Sequence, residues 1–99
     1  MRNLIHVDWS KPQPLAVRLG SGVRAYAYGS VVKGTATEGS DLDIYITGPA
    51  AGKLERKLAY RRPMVEFQGK AYPLHVVGPE TTDEASFLAA QPEAQRVLN

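Results

Sequence analysis

The chain contains no cysteine among its 99 residues, which excludes a disulfide framework and leaves packing alone to hold the domain together. No apolar run approaches the roughly 20 residues needed to cross a bilayer. The N-terminus lacks the basic-then-apolar pattern of a secretory leader. There is no long basic run, and the formal net charge is only +2. That balance fits a solvated surface with a weak pull on a polyanion such as a triphosphate, rather than a nucleic-acid patch. These absences lead to the expectation of a cytoplasmic protein with no membrane segment.

What is present is ordinary for a globular unit: 43% apolar and 22% charged residues. The length supports one domain, expected over 1–99. No internal repeat or low-complexity segment interrupts it. Alternation from Leu4 to Trp9 predicts a short strand. Two prolines between Lys11 and Pro14 mark a turn. A short helix is predicted from Pro14, stopped by Gly20-Ser21-Gly22. The segment VRAYAY predicts a strand with Val23, Ala25 and Ala27 on one face and Arg24, Tyr26 and Tyr28 on the other. After Gly29-Ser30 and a short irregular or helical connection, DLDIYIT predicts a second strand.

Thr47-Gly48-Pro49 opens a helix whose stripe is Ala51, Leu54 and Leu58, and Pro63 ends it. Two further strands, MVEFQ and AYPLHVVG, flank a hairpin turn at Gln68-Gly69-Lys70. Thr81 and Glu84 have capping-box spacing ahead of a helix carrying Phe87 and Leu88. Pro92 is expected to kink this helix or to start another, ending at Val97-Leu98. The order implies a small mixed α/β (α+β) sheet with helices packed mainly on one face.

Asp41 and Asp43 alternate on the second predicted strand, so both carboxylates face the same way, about 7 Å apart. Two adjacent ionised carboxylates repel and contribute nothing to a core. Two readings stand: an exposed acidic face of an edge strand, or a pair that holds Mg²⁺ with water and substrate phosphate oxygens. Gly29-Ser30 also has two readings. It is a plain strand-ending turn, or it lets the backbone approach a phosphate while Ser30 donates to it. The two features gain weight together. A strand, Gly-Ser, ten residues and then Asp-Leu-Asp on a neighbouring strand bring an anion-binding turn and a carboxylate pair to one cleft.

Residues 26–47, AYGSVVKGTATEGSDLDIYIT with the preceding tyrosine, resemble the signature of the DNA polymerase beta-like nucleotidyltransferase superfamily. The chain is most similar to the short prokaryotic minimal nucleotidyltransferases of antitoxin-like type. That resemblance implies a polymerase beta-like nucleotidyltransferase fold. It implies that Gly29, Ser30, Lys33 and Ser40 contact the triphosphate, that Asp41 and Asp43 hold one or two Mg²⁺ ions, and that AMP passes from ATP to a hydroxyl of a protein or nucleic-acid acceptor. It also implies a small helical partner of the HEPN type.

The chain departs from the family pattern in two places. The position of the usual third carboxylate falls in PLHVVGPE and holds His75, a competent base but a poor Mg²⁺ ligand. His75 is read equally as a core residue or as a member of the active site. Glu66 is read as an exposed strand residue or as a replacement carboxylate, depending on register. The loop after Gly-Ser carries Val31 and Lys33 where relatives carry arginines, which leaves Lys33 as the point charge for a phosphate. His6 has no motif around it. Two alternatives accompany the enzyme reading. One is a turnover-deficient nucleotidyltransferase fold acting as an antitoxin-like partner. The other is a small α/β domain unrelated to nucleotides.

Overall fold

A computed structural model describes residues 7–98. The elements run β1 (Gln13–Pro14), α1 (Leu15–Leu19), β2 (Arg24–Tyr28), α2 (Ser30–Lys33), β3 (Leu42–Thr47), α3 (Ala51–Arg61), β4 (Met64–Phe67), β5 (Lys70–Val77), α4 (Glu84–Ala90) and β6 (Gln95–Leu98). The strands form one mixed sheet in the order β1-β4-β5-β3-β2-β6. β3 runs parallel to β5, the connection between them passing through α3 and β4, and β2 lies antiparallel on the other side of β3. This is the expected small mixed α+β domain, with a curled six-stranded sheet consistent with a nucleotidyltransferase fold.

Strand alternation decides which face is dry. Ala25 and Ala27 of β2, Leu42, Ile44 and Ile46 of β3, and Leu74 and Val76 of β5 all point to one side. Leu15 and Leu19 of α1 and Ala51 and Leu58 of α3 close over them as a single core. Helix α3 lies against β3 and β5, and α1 against β1 and β4. The β4–β5 hairpin turns on Gln68 and Gly69, both with positive φ (51° and 80°). That pair of left-handed residues matches the right-handed twist of the flanking strands.

The opposite face is divided. Its lower half is covered by α4, whose Phe87 stacks on Tyr45 at a centroid distance of 4.2 Å and meets Tyr28 edge-on at 4.9 Å. Tyr45 is therefore fully buried although it shares a face with the aspartates. Glu84, in the first turn of α4, accepts from Arg24 at 2.8 Å and from the Tyr26 hydroxyl at 2.6 Å, tying the helix to β2.

Four expectations change. The segment after Pro92 is not helical: Gln95–Leu98 is a strand paired antiparallel with β2. Without it β2 would be a bare edge with unpaired N–H and C=O groups, and that pairing outweighs local helix preference. The capping box is replaced by Asp83, whose carboxylate accepts from the Ser86 N–H at 2.8 Å. Glu84 is drawn to Arg24 instead, and Thr81 donates to Glu55 at 2.6 Å. Within the predicted N-terminal strand, Val7 and Asp8 have no regular structure and Trp9 lies in a turn; Leu4, Ile5 and His6 fall outside the described residues. Gln13–Pro14, expected only as a turn, adds a short parallel edge to β4.

Among the described residues no helix is long and apolar enough to cross a membrane. Because Phe87 is the one buried side chain of α4 and fills the space over Tyr28 and Tyr45, Phe87→Ala is expected to lower the unfolding free energy by about 3 kcal/mol. Urea denaturation would show this, and an unchanged midpoint would mean that α4 is not part of the cooperative unit.

Candidate active site

The end of this face beyond Tyr45 is assembled by strand register. Tyr28 of β2 lies opposite Asp43 of β3, and Asp43 lies opposite His75 of β5, so three side chains from three strands form one row. His75 Nδ1 is 3.1 Å from Asp43 Oδ1. His75 is 56% exposed and stands beside Asp43, outside the core. Asp41 immediately precedes β3. Its Oδ2 accepts from Arg62 Nη2 at 3.2 Å, so each carboxylate of the pair has a nitrogen base or cation beside it. Arg62 caps the C-terminus of α3 with φ 43°, a left-handed backbone unusual for a non-glycine residue.

Gly29 ends β2 at φ 78°, and a Cβ there would collide with the Asp43 carboxylate. Glycine is required on both counts: the backbone conformation, and the close approach of the turn to Asp43. Ser30 begins α2 and Lys33 ends it. The turn thus comes up against the Asp43 carboxylate. Ser40 serves the loop: its Oγ accepts from the Thr37 N–H at 2.9 Å, and its N–H donates to the Thr37 carbonyl at 3.0 Å. Glu66 is exposed and pairs with Ala71, four residues from His75 along β5, so the register does not bring it to the pair. That offset is about 13 Å of strand.

Two residues at this site carry no sequence signal. Arg62 follows a helix and precedes Pro63, and only the fold turns it onto Asp41. Glu93 sits in the turn before β6, and its Oε2 accepts from the Gly29 N–H at 2.9 Å. This hydrogen bond is the main reason its carboxyl is held below the usual glutamate range, with the Lys33 charge adding to it. An open cavity of about 540 Å³ borders the site on the Asp41 side. It lies between the loop Ala36–Ser40 and the β4–β5 hairpin, with Met64, Tyr72 and Pro73 in its wall.

Among the described residues no three His, Asp or Glu side chains are gathered closely enough to hold a metal ion unaided. Two carboxylates are nevertheless a fitting donor set for Mg²⁺, which takes oxygen ligands and usually fills its remaining positions with water and substrate phosphate. The glycine cradle against Asp43 leaves the approach free of any side chain at position 29.

The Tyr28 phenol is pushed up to about 12, first by burial under α4 and then by the charges of Asp43 and Glu93. A raised phenol favours the neutral form in the fold. The stability it contributes is complete below the ordinary phenol value of 10.0 and is lost as pH rises through about 12. Tyr28→Phe is therefore expected to flatten the loss of stability between those pH values, part of which Tyr26 and Tyr45, also raised, continue to supply. Thermal melts across that range would test it, and an identical slope in the variant would remove Tyr28 from the account.

No curated protein and no solved structure matches the chain. A family model described as a nucleotidyltransferase domain matches residues 15–97, which span every element from α1 onward and nearly all of β6. By that match, on a fold and a carboxylate cleft already consistent with it, the chain belongs to the nucleotidyltransferase domain family.

Proposed function

We propose that this chain is a Mg²⁺-dependent nucleotidyltransferase of the minimal, antitoxin-like type, acting in the cytoplasm and transferring AMP from ATP to a hydroxyl of a protein or nucleic-acid acceptor. The observation that carries the reading is the meeting of Gly29, Asp43 and His75 at one end of the sheet, with Asp41 beside them. In this reading the Gly29 N–H, the Ser30 hydroxyl and Lys33 receive the β- and γ-phosphates. Asp41 and Asp43 hold the metal. Mg²⁺, when bound, polarises the α-phosphoryl group and neutralises charge on the departing pyrophosphate.

His75 is the base. With Nδ1–H directed at Asp43, the tautomer is fixed and Nε2 is left to accept the acceptor's proton. The acceptor oxygen then bonds to the α-phosphorus, the bond from that phosphorus to the bridging oxygen breaks, and pyrophosphate leaves with the electron pair. Arg62 keeps Asp41 in place by its counter-charge. The cavity on the Asp41 side gives the acceptor its approach.

A second reading keeps the nucleotide pocket without turnover, the chain serving as a partner of a helical HEPN-type protein. It is favoured by the imidazole at position 75, where relatives place a carboxylate, and by the absence of a three-residue metal set among the described residues.

Asp41→Asn and Asp43→Asn are each expected to reduce Mg²⁺-dependent AMP transfer at least about a hundredfold, the scale of removing one electrostatic transition-state contact, with melting temperature unchanged or slightly raised. Radiolabelled ATP incubated with cell extract and the purified chain would show the transfer. Undiminished labelling by either variant would eliminate the carboxylate pair as the metal site. His75→Asp separates the two readings. Higher transfer marks a chain that has lost its third carboxylate, whereas a further fall marks His75 as the working base.

A further inference from the structure

Glu93 belongs to none of the motifs that define the cleft, yet it engages the cleft directly. The Gly29 N–H it binds at 2.9 Å is the donor at the turn before α2. A carboxylate is an anion, and that N–H is the group that the nucleotidyltransferase reading gives to the terminal phosphates. Lys33, assigned to the phosphates in the same reading, also acts on Glu93. Two phosphate-binding groups are thus already answered by a charge from the protein itself.

The segment that carries Glu93 is lightly held. Pro92 and Glu93 form a turn closed by one hydrogen bond, from the Ala94 N–H to the Gln91 carbonyl at 3.0 Å. The strand that follows has four residues, and its pairing with β2 shifts register between Ala25 and Tyr26. Meanwhile the charges of Glu93 and Asp43 both bear on the Tyr28 phenol. A third anion brought to this spot would meet two carboxylates unless one withdrew. Gly29 offers a single N–H, which a phosphate oxygen takes over only as the carboxylate leaves it.

We infer that Glu93 is a built-in competitor for the nucleotide: its carboxylate occupies the Gly29 N–H in the free protein and swings away when the terminal phosphates bind there. The inference rests on the reading of Gly29 as a phosphate donor. Glu93 then sets the threshold for nucleotide binding and links occupancy of the phosphate turn to the position of the turn before β6. The exchange conserves hydrogen bonds, one acceptor replacing another at the same N–H, so its balance is decided by charge.

Inorganic tripolyphosphate, which has the charge of the nucleotide tail and no base or sugar, is the probe. It would be titrated into the full chain and into Glu93→Gln and Glu93→Ala, following the Gly29 and Ser30 amide resonances. Loss of a charge-assisted hydrogen bond and of a like charge should tighten binding at least about tenfold in Glu93→Ala, with Glu93→Gln between it and the parent. A residue needed only for folding would weaken binding when replaced. Equal or weaker affinity in both variants, with Gly29 still responding to tripolyphosphate, overturns the competition and leaves Gly29 as a phosphate donor. A Gly29 amide that moves on replacement of Glu93 but never with tripolyphosphate overturns the phosphate reading, and the inference with it.

Discussion

The side-chain parity of β3 is the constraint on which everything else depends. Leu42, Ile44 and Ile46 are buried against α1 and α3, and this fixes Asp41, Asp43 and Tyr45 to the other side. A slip of one residue would exchange the faces, sending three apolar side chains to solvent and two carboxylates into the core. The apolar face therefore enforces the position of the polar one. The parallel pairing with β5 and the antiparallel pairing with β2 extend that order sideways, placing His75 and Tyr28 in the same row as Asp43.

The acidic face would be a poor surface if it were left entirely open or entirely covered. α4 divides it. Phe87 seals the half containing Tyr45, and the Glu84 contacts with Arg24 and Tyr26 fasten the helix there. The Tyr45 hydroxyl, which would otherwise be buried without a partner, donates to the Thr82 carbonyl at 2.7 Å. On the far side of the sheet a buried acid does similar work: Glu55 of α3 accepts from the Glu80 N–H and the Thr81 hydroxyl, holding the segment that leads from β5 to α4. The lid over Tyr45 and the open cleft over Asp43 are thus products of the same connection.

Charge at the cleft is arranged in pairs. Asp41 has Arg62, Asp43 has His75, and Glu93 has the Gly29 N–H with Lys33 nearby. Arg62 offsets part of the repulsion between the two neighbouring carboxylates, and Arg62 and His75 are both exposed.

Much of this was written locally. The strands Arg24–Tyr28 and Leu42–Thr47, the turn at Gln68-Gly69 and the helix opened after Thr47-Gly48-Pro49 all follow from periodicity and turn chemistry, which act over a few residues. Gly29-Ser30 was legible as a strand-ending turn for the same reason. What tertiary structure alone decided are the contacts made across the chain. Gln95–Leu98 became a strand because β2 needed a partner. Glu66 was left outside the cleft by the hairpin register, and His75 was brought in by a parallel pairing 32 residues from Asp43. Arg62 and Glu93 arrived from 21 and 64 residues away. A sequence specifies which faces its own segments present, whereas the neighbour each face meets is set by register and packing, which no local pattern contains.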